Sequence, residues 1–270
     1  MATVQTLTLQ TERMQASVED GIGCMVFNNP ARHNALSLEM WEGIGDILEH
    51  FADNEDVRVV IMRGAGGKAF VSGADISEFD KERANAEQRE SYGITAGRAT
   101  QWLAKIEKPL IGLIEGYCIG GGLATALSAD VRFATPDSRF GIPAAKLGLG
   151  YEYEGLAKLA RLVGPSRARD IMFSARFMPA WEALDMGLIN FIEERDDIEG
   201  ACVSYAKTIA ENAPLTVKAA KAAINAWERG SRTEEVNAVR AMVDACFDSE
   251  DYREGRKAFA AKRKPEFKNR

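Results

Sequence analysis

The sequence is short of histidine and cysteine, has no long apolar run and carries no excess of positive charge. His33 and His50 are its 2 histidines, so histidine-based triads and multi-histidine metal sites are disfavoured. Catalysis, if present, is expected to use carboxylate, tyrosine or backbone groups. The 4 cysteines, Cys24, Cys118, Cys202 and Cys246, have no CxxC spacing. Neither a metal site nor a disulfide framework is indicated, and a reducing cytoplasm is the simplest compartment. The opening stretch lacks a basic region followed by an apolar run, so no secretory signal is expected. No segment reaches the ~18 apolar residues of a membrane span, and no membrane insertion is expected. The formal net charge of -6 argues against a nucleic-acid partner, because phosphate neutralisation needs a basic surface.

What is present is an alternation of strand-like and helix-like segments. The first ~30 residues read as short strands with a turn at Glu19-Asp20-Gly21 and a loop at Asn28-Asn29-Pro30. Leu38, Trp41, Ile44, Leu48 and Phe51 then recur at helical spacing behind Ser37, a candidate N-cap. Val57 to Met62 reads as a buried strand opening into the glycine loop Gly64 to Lys68, and Asp80 to Glu90 as a charged, exposed or mobile stretch. A helix carrying Tyr92, Ala96, Ala99, Leu103 and Ile106 is expected to end before Lys108-Pro109. Leu110 to Ile114 and Val131 to Ala134 read as further strands. The pattern predicts an α/β core over residues 1–196 and a helical region over 197–270. Its apolar residues, among them Ile224, Trp227, Met242 and Phe247, suggest an oligomer contact.

The most informative stretch is Gly116 to Ala124. Read as strand, glycine turn and helix start, it lets a ligand approach the backbone and leaves amide N–H groups at the positive end of a helix. Such a turn can hold a developing negative charge, or it can serve only to pack strand against helix. The glycine-flanked Ser72-Gly73-Ala74-Asp75 forms a second loop of this type.

Asn34-Ala35-Leu36, Phe70 to Ile76, Lys108-Pro109, Gly116 to Gly122, Ala129-Asp130, Phe140-Gly141 and the ending Ala258 to Phe267 follow one another in an order and spacing that resembles the enoyl-CoA hydratase/isomerase, or crotonase, family. The resemblance implies a spiral of ββα units, a C-terminal helical oligomerisation region, and assembly as a homotrimer or dimer of trimers. It implies an acyl-CoA thioester as ligand, with coenzyme A entering as part of the substrate and no prosthetic group. The backbone N–H groups of Ala74 and Gly121 match the family's pair of donors to the thioester oxygen. Lys262 matches a lysine near the coenzyme A phosphates, and Arg32, Lys68 and Arg263 are further candidate phosphate partners. The resemblance also implies that Ala35, Ser72, Asp75 and Ile76 fall on the coenzyme A side, with Asp75 near the adenine.

A hydratase of this family uses two glutamates, and the matching positions here are Ala124 and Ala144. Alanine cannot transfer a proton, and each acid or base is worth ~100- to 10,000-fold. Chemistry is therefore expected at Tyr151 and Glu152, at the entry of an amphipathic helix. Glu152 matches the acidic residue of related enoyl-CoA and dienoyl-CoA isomerases, and Tyr151 a tyrosine of methylmalonyl-CoA decarboxylases. Acidic residues also favour first helical turns, and Tyr151 can equally serve as an acyl-chain wall. Double-bond isomerisation with Glu152 as acid/base is the leading reading. The alternatives are decarboxylation using Tyr151, hydration through a rearranged site, and a non-catalytic thioester binder.

Overall fold

The computed structural model describes residues 4–75 and 86–270. Ile76 and the part of the charged stretch from Asp80 to Asn85 lie outside the described residues. Strands β1 (Gln5–Thr6), β2 (Met14–Glu19) and β3 (Ile22–Phe27) form an antiparallel start. Asp20 and Gly21, both at positive φ, make the two-residue turn between β2 and β3. Helix α1 (Leu38–Asp53) follows and buries Ile44, Ile47, Leu48 and Phe51. Ser37 is its N-cap by position, but its hydroxyl is buried without a hydrogen-bond partner.

Strand β4 (Val59–Gly64) runs parallel to β3, and β6 (Leu110–Ile114), β8 (Val131–Ala134) and β11 (Phe191–Ile192) continue in the same direction. The resulting 7-stranded sheet has the order β1-β2-β3-β4-β6-β8-β11. A second, 4-stranded sheet has the order β10-β9-β7-β5, from β5 (Ala69–Val71), β7 (Tyr117–Ile119), β9 (Arg139–Gly141) and β10 (Met178–Pro179). The chain crosses repeatedly from the first sheet to the second: β4 turns into β5, β6 into β7, and β8 into β9. Each crossing is a tight corner, and helices α2 (Ala86–Lys105) and α3 (Gly121–Ala126) lead back to the first sheet.

The sequence reading treats Leu110 to Ile114 as the strand feeding the glycine run directly. Instead, a corner at Glu115-Gly116 intervenes and β7 belongs to the other sheet. Gly116 adopts φ +67, and a Cβ there would collide with the Lys68 carbonyl. Only glycine permits so close a corner. The main core lies around α1 and between the two sheets, with Phe27 and Phe70 meeting edge to face at 5.1 Å.

After α4 (Ala144–Leu147), α5 (Tyr153–Val163), α6 (Pro165–Ser174) and α7 (Ala180–Asp185) come the C-terminal helices α8 (Ile198–Ala210), α9 (Pro214–Glu228), α10 (Thr233–Asp248) and α11 (Glu250–Ala260). Helix α8 packs on the core. Its Ile198, Cys202 and Ala206 cover the outer face of the large sheet against Val59, Ile61, Ile111 and Phe133. The expected boundary at 196/197 thus precedes a helix that shares the sheet's packing. Helix α10 contrasts with it, because none of its residues is buried in the chain. Among the described residues no helix is long and apolar enough to cross a membrane.

Candidate active site

The site is built from two loops at the ends of β5 and β7. Leu36 bridges to Ala74: its N–H donates to the Gly73 carbonyl at 2.8 Å, and its carbonyl accepts from the Asp75 N–H at 2.9 Å. Both bonds use Ala74's neighbours, so the Ala74 N–H is turned to the opposite side. Gly73, at φ +119, supplies the turn that permits this. Asn34 holds the approach from beneath. Fully buried, it donates from Nδ2 to the carbonyls of Ala65 (3.0 Å) and Ala69 (2.7 Å) and accepts from the Asn29 N–H (2.9 Å).

Across from this loop, Gly120 takes φ +55 as the N-cap of α3, and its N–H is held by the Gly141 carbonyl at 2.8 Å. Gly121 opens the helix, where a first-turn N–H has no intrahelical acceptor. A Cβ on Gly121 would lie 3.9 Å from the Ala74 nitrogen, at ordinary van der Waals distance. Gly122 has a different role, since a Cβ there would strike the Val71 carbonyl oxygen. Gly122 thus packs helix against strand, whereas Gly121 faces the Ala74 amide nitrogen.

Ala124 follows in the first turns of α3 and is half-buried, and Ala144 is buried at the start of α4. Tyr151 is half-buried against the main core, and its hydroxyl lies 3.8 Å from where a Cβ on Gly120 would stand. Burial pushes the Tyr151 pKa above its ordinary value, so near neutrality the group is a proton-bearing donor. Glu152 is the exposed N-cap residue of α5, and its side chain makes no cap bond. Cys118, beneath the run on β7, is fully buried with its thiol pKa driven up by desolvation, which suits packing and not nucleophilic attack.

Of the residues that the resemblance assigns to coenzyme A, Arg32 reaches Asp75 at 3.7 Å, the Ser72 hydroxyl donates to the Arg32 carbonyl at 3.4 Å, and half-buried Ala35 accepts from the Asn29 side chain at 3.4 Å. Lys68 is exposed at the neighbouring corner, its carbonyl accepting from the Tyr117 N–H at 3.1 Å. Two residues beside these were not singled out from the sequence. Tyr117, 43% exposed, meets the His33 ring edge to face at 6.0 Å beside Arg32 and Lys68. The only available signal was an aromatic residue directly after Gly116 in an otherwise apolar strand.

Lys262 is elsewhere in the chain. It ends α11 in the left-handed conformation, φ 51, with the Arg263 N–H bonded back to the Ala258 carbonyl. Arg263 pairs with Glu254, Lys264 with Glu211, and Arg58 donates to the Phe267 carbonyl at 2.6 Å. Arg58 precedes β4, whereas Arg32 and Lys68 lie beyond the far ends of β3 and β4. A strand of this length separates the two regions by ~20 Å. Lys262 and Arg263 therefore do not join Arg32 and Lys68 within one chain.

Among the described residues no group of three His, Cys, Asp or Glu is placed to hold a metal ion. A short-chain-enoyl-CoA hydratase of Clostridium acetobutylicum is 36% identical over 256 residues, covering 93% of this chain and 96% of that protein. A crotonyl-CoA hydratase of Syntrophomonas wolfei is 32% identical over 252 residues, covering 92% and 95%. Among solved structures, an enoyl-CoA hydratase/carnithine racemase from Magnetospirillum magneticum superposes with TM-score 0.89 at 38% identity, covering 97% of both chains. A putative enoyl-CoA hydratase/isomerase family protein from Hyphomonas neptunium gives TM-score 0.91 at 33% identity, covering 97% of this chain and 100% of that one. The family profile described as enoyl-CoA hydratase/isomerase matches residues 17–270, and the chain belongs to that family.

Proposed function

We propose that the protein stabilises the enolate of an acyl-CoA thioester between the N–H groups of Ala74 and Gly121, and uses it to isomerise an enoyl-CoA double bond. The observation that carries this reading is the close approach of Gly121 to the Ala74 amide nitrogen, with the Tyr151 hydroxyl beside Gly120, combined with alanine at positions 124 and 144. The thioester oxygen accepts from both amides. The Glu152 carboxylate removes a proton from the carbon next to the thioester, electron density moves onto the oxygen, and the same proton returns two carbons further along the chain. No water is added and no group leaves. One backbone donor of this kind is worth ~3 to 4 kcal/mol in the transition state. Arg32, Lys68, Ser72, Asp75, Ala35 and Ile76 are assigned to the coenzyme A moiety, and Lys262 to its phosphates from another copy of the chain.

The Tyr151 hydroxyl favours a second reading. A protonated phenol beside the amides can support decarboxylation of a malonyl-CoA-type thioester, in which loss of carbon dioxide forms the enolate without a base. The experiment is incubation with 3-enoyl-, 2-enoyl- and methylmalonyl-CoA, followed by chromatography and mass. A 3-enoyl thioester converted to its 2-enoyl isomer at unchanged mass supports the first reading. Loss of carbon dioxide supports the second, and gain of water supports a hydratase with a rearranged site. Absence of all three, with retained thioester binding, identifies a non-catalytic binder. In the isomerase, Glu152→Gln is expected to lose ~100-fold or more in turnover with little change in coenzyme A affinity. Unaltered turnover removes Glu152 from the mechanism.

A further inference from the structure

The spacing of the two amides depends on how β5 and β7 lie against each other, and that pairing is weakly determined by the strands themselves. Each is only 3 residues long, and their parallel register shifts between Ala69 and Val71. A short, interrupted ladder leaves relative slide available. Both strands start at corners, and the corners are tied together. The Tyr117 N–H donates to the Lys68 carbonyl at 3.1 Å, and the Arg139 N–H donates to the Gly116 carbonyl at 3.0 Å.

One side chain spans all three corners. Arg195, just beyond β11, donates from Nη1 to the Gly67 carbonyl (2.6 Å) and to Glu115 Oε1 (3.0 Å), and from Nη2 to Asp137 Oδ2 (2.7 Å). Gly67 precedes β5, Glu115 precedes β7, and Asp137 precedes β9. Glu115 is nearly buried and also lies 3.7 Å from Arg63, which fixes the acceptor. Asp137 is held in its charged form: burial opposes it, but hydrogen bonds from Thr135 and Arg195 bring its pKa below the ordinary value.

We propose that Arg195 is a positioning residue, which clamps the corners before β5, β7 and β9 and thereby sets the distance between the Ala74 and Gly121 N–H groups. The inference rests on the reading of those amides as the thioester-oxygen site. Exposed ion pairs contribute little to global stability, so the importance of this one lies in direction. A planar guanidinium presents fixed donors to three acceptors at once, which a lysine ammonium on a flexible stem does not reproduce. The strands then carry a shift at the corner to the amides at their other end, where a displacement of ~1 Å is enough to cost ~100-fold.

The test uses the full chain, acetoacetyl-CoA, whose bound enolate absorbs in the near ultraviolet, and free coenzyme A. Arg195→Lys is compared with wild type and with Gly121→Ala. Arg195→Lys is expected to retain coenzyme A affinity within about twofold while binding acetoacetyl-CoA about tenfold more weakly and with reduced enolate absorbance. Gly121→Ala is expected to abolish the enolate signal. An Arg195→Lys protein that matches wild type while Gly121→Ala loses the signal overturns the clamp and leaves the amide site standing. An unchanged signal in Gly121→Ala overturns the amide site, and the clamp with it. Equal weakening toward free coenzyme A and acetoacetyl-CoA also overturns the clamp, because spacing of the amides does not touch the nucleotide. Should Arg195→Lys fail to fold, Asp137→Asn, which removes one branch at an exposed carboxylate, is expected to show the same selective loss at smaller size. Its identity with wild type overturns the proposal.

Discussion

Gly121 and Gly122 lack side chains for opposite reasons, and this makes them separable by experiment. Gly121 has ordinary backbone angles, and an added methyl meets the Ala74 nitrogen only at van der Waals distance, 3.9 Å. Gly121→Ala is therefore expected to fold with a near-normal melting temperature and to lose the thioester-oxygen site. Gly122→Ala drives a methyl into the Val71 carbonyl, and is expected to lower stability by ~1 to 3 kcal/mol in denaturant titration. Asn34 is the other residue with a sharp expectation. Asn34→Ala removes three hydrogen bonds inside the core, and at about 1 kcal/mol per bond should cost roughly 3 kcal/mol. The glycine run, the Asn34 motif and the two alanines were all legible as residues. Which glycine packs and which one faces the Ala74 amide was not, because it depends on the Val71 carbonyl, about 50 positions earlier in the chain.

At the scale of elements, α5 shows what periodicity can and cannot convey. Its amphipathic character and its entry just after Glu152 were legible, and the helix spans Tyr153–Val163. Lys158, on the same helix, gave no signal. Burial brings its pKa down to about 8, although Glu228 and Asp130 pull the other way. Between pH 8 and 10.5 the unfolded chain keeps a proton on this lysine that the folded chain has released, so stability rises with pH across that window. The gain is lost again as pH falls from 10.5 to about 8, and is at most ~3 kcal/mol. Lys158→Met is expected to flatten this rise. Melting temperatures of both proteins at about pH 7 and pH 10 measure it, and parallel pH profiles would refute it. The strands β7 and β9 were missed as separate elements because each has only 3 residues, too few to establish a period.

For the whole molecule, the arrangement of the C-terminal helices decides what remains open. Helices α9, α10 and α11 enclose an apolar groove of about 680 Å³ lined by Ala219, Val243, Phe247, Tyr252 and Phe259. Phe247 stays 59% and Trp227 73% exposed. A 16-residue helix with no buried residue cannot offset its ordering entropy from contacts within this chain. We expect these helices to meet further copies of the protein, as a trimer or dimer of trimers. Sedimentation should give a mass well above the monomer's 29.6 kDa, and Phe247→Glu should shift it downward. A compact wild-type monomer would refute the expectation.

The sequence by itself determined the family, the alternation of strands and helices, the two loops that offer backbone N–H groups and the absence of the usual carboxylates. These are local properties: residue type, spacing and the conformations that glycine alone tolerates. Only the tertiary structure decided that the chain turns a corner at Gly116 into a second sheet, that Tyr151 faces the glycine run, that Lys262 stands far from Arg32, and that Arg195 joins three corners. Each of these depends on contacts between residues far apart in the chain, and such contacts leave no periodic trace in any one segment.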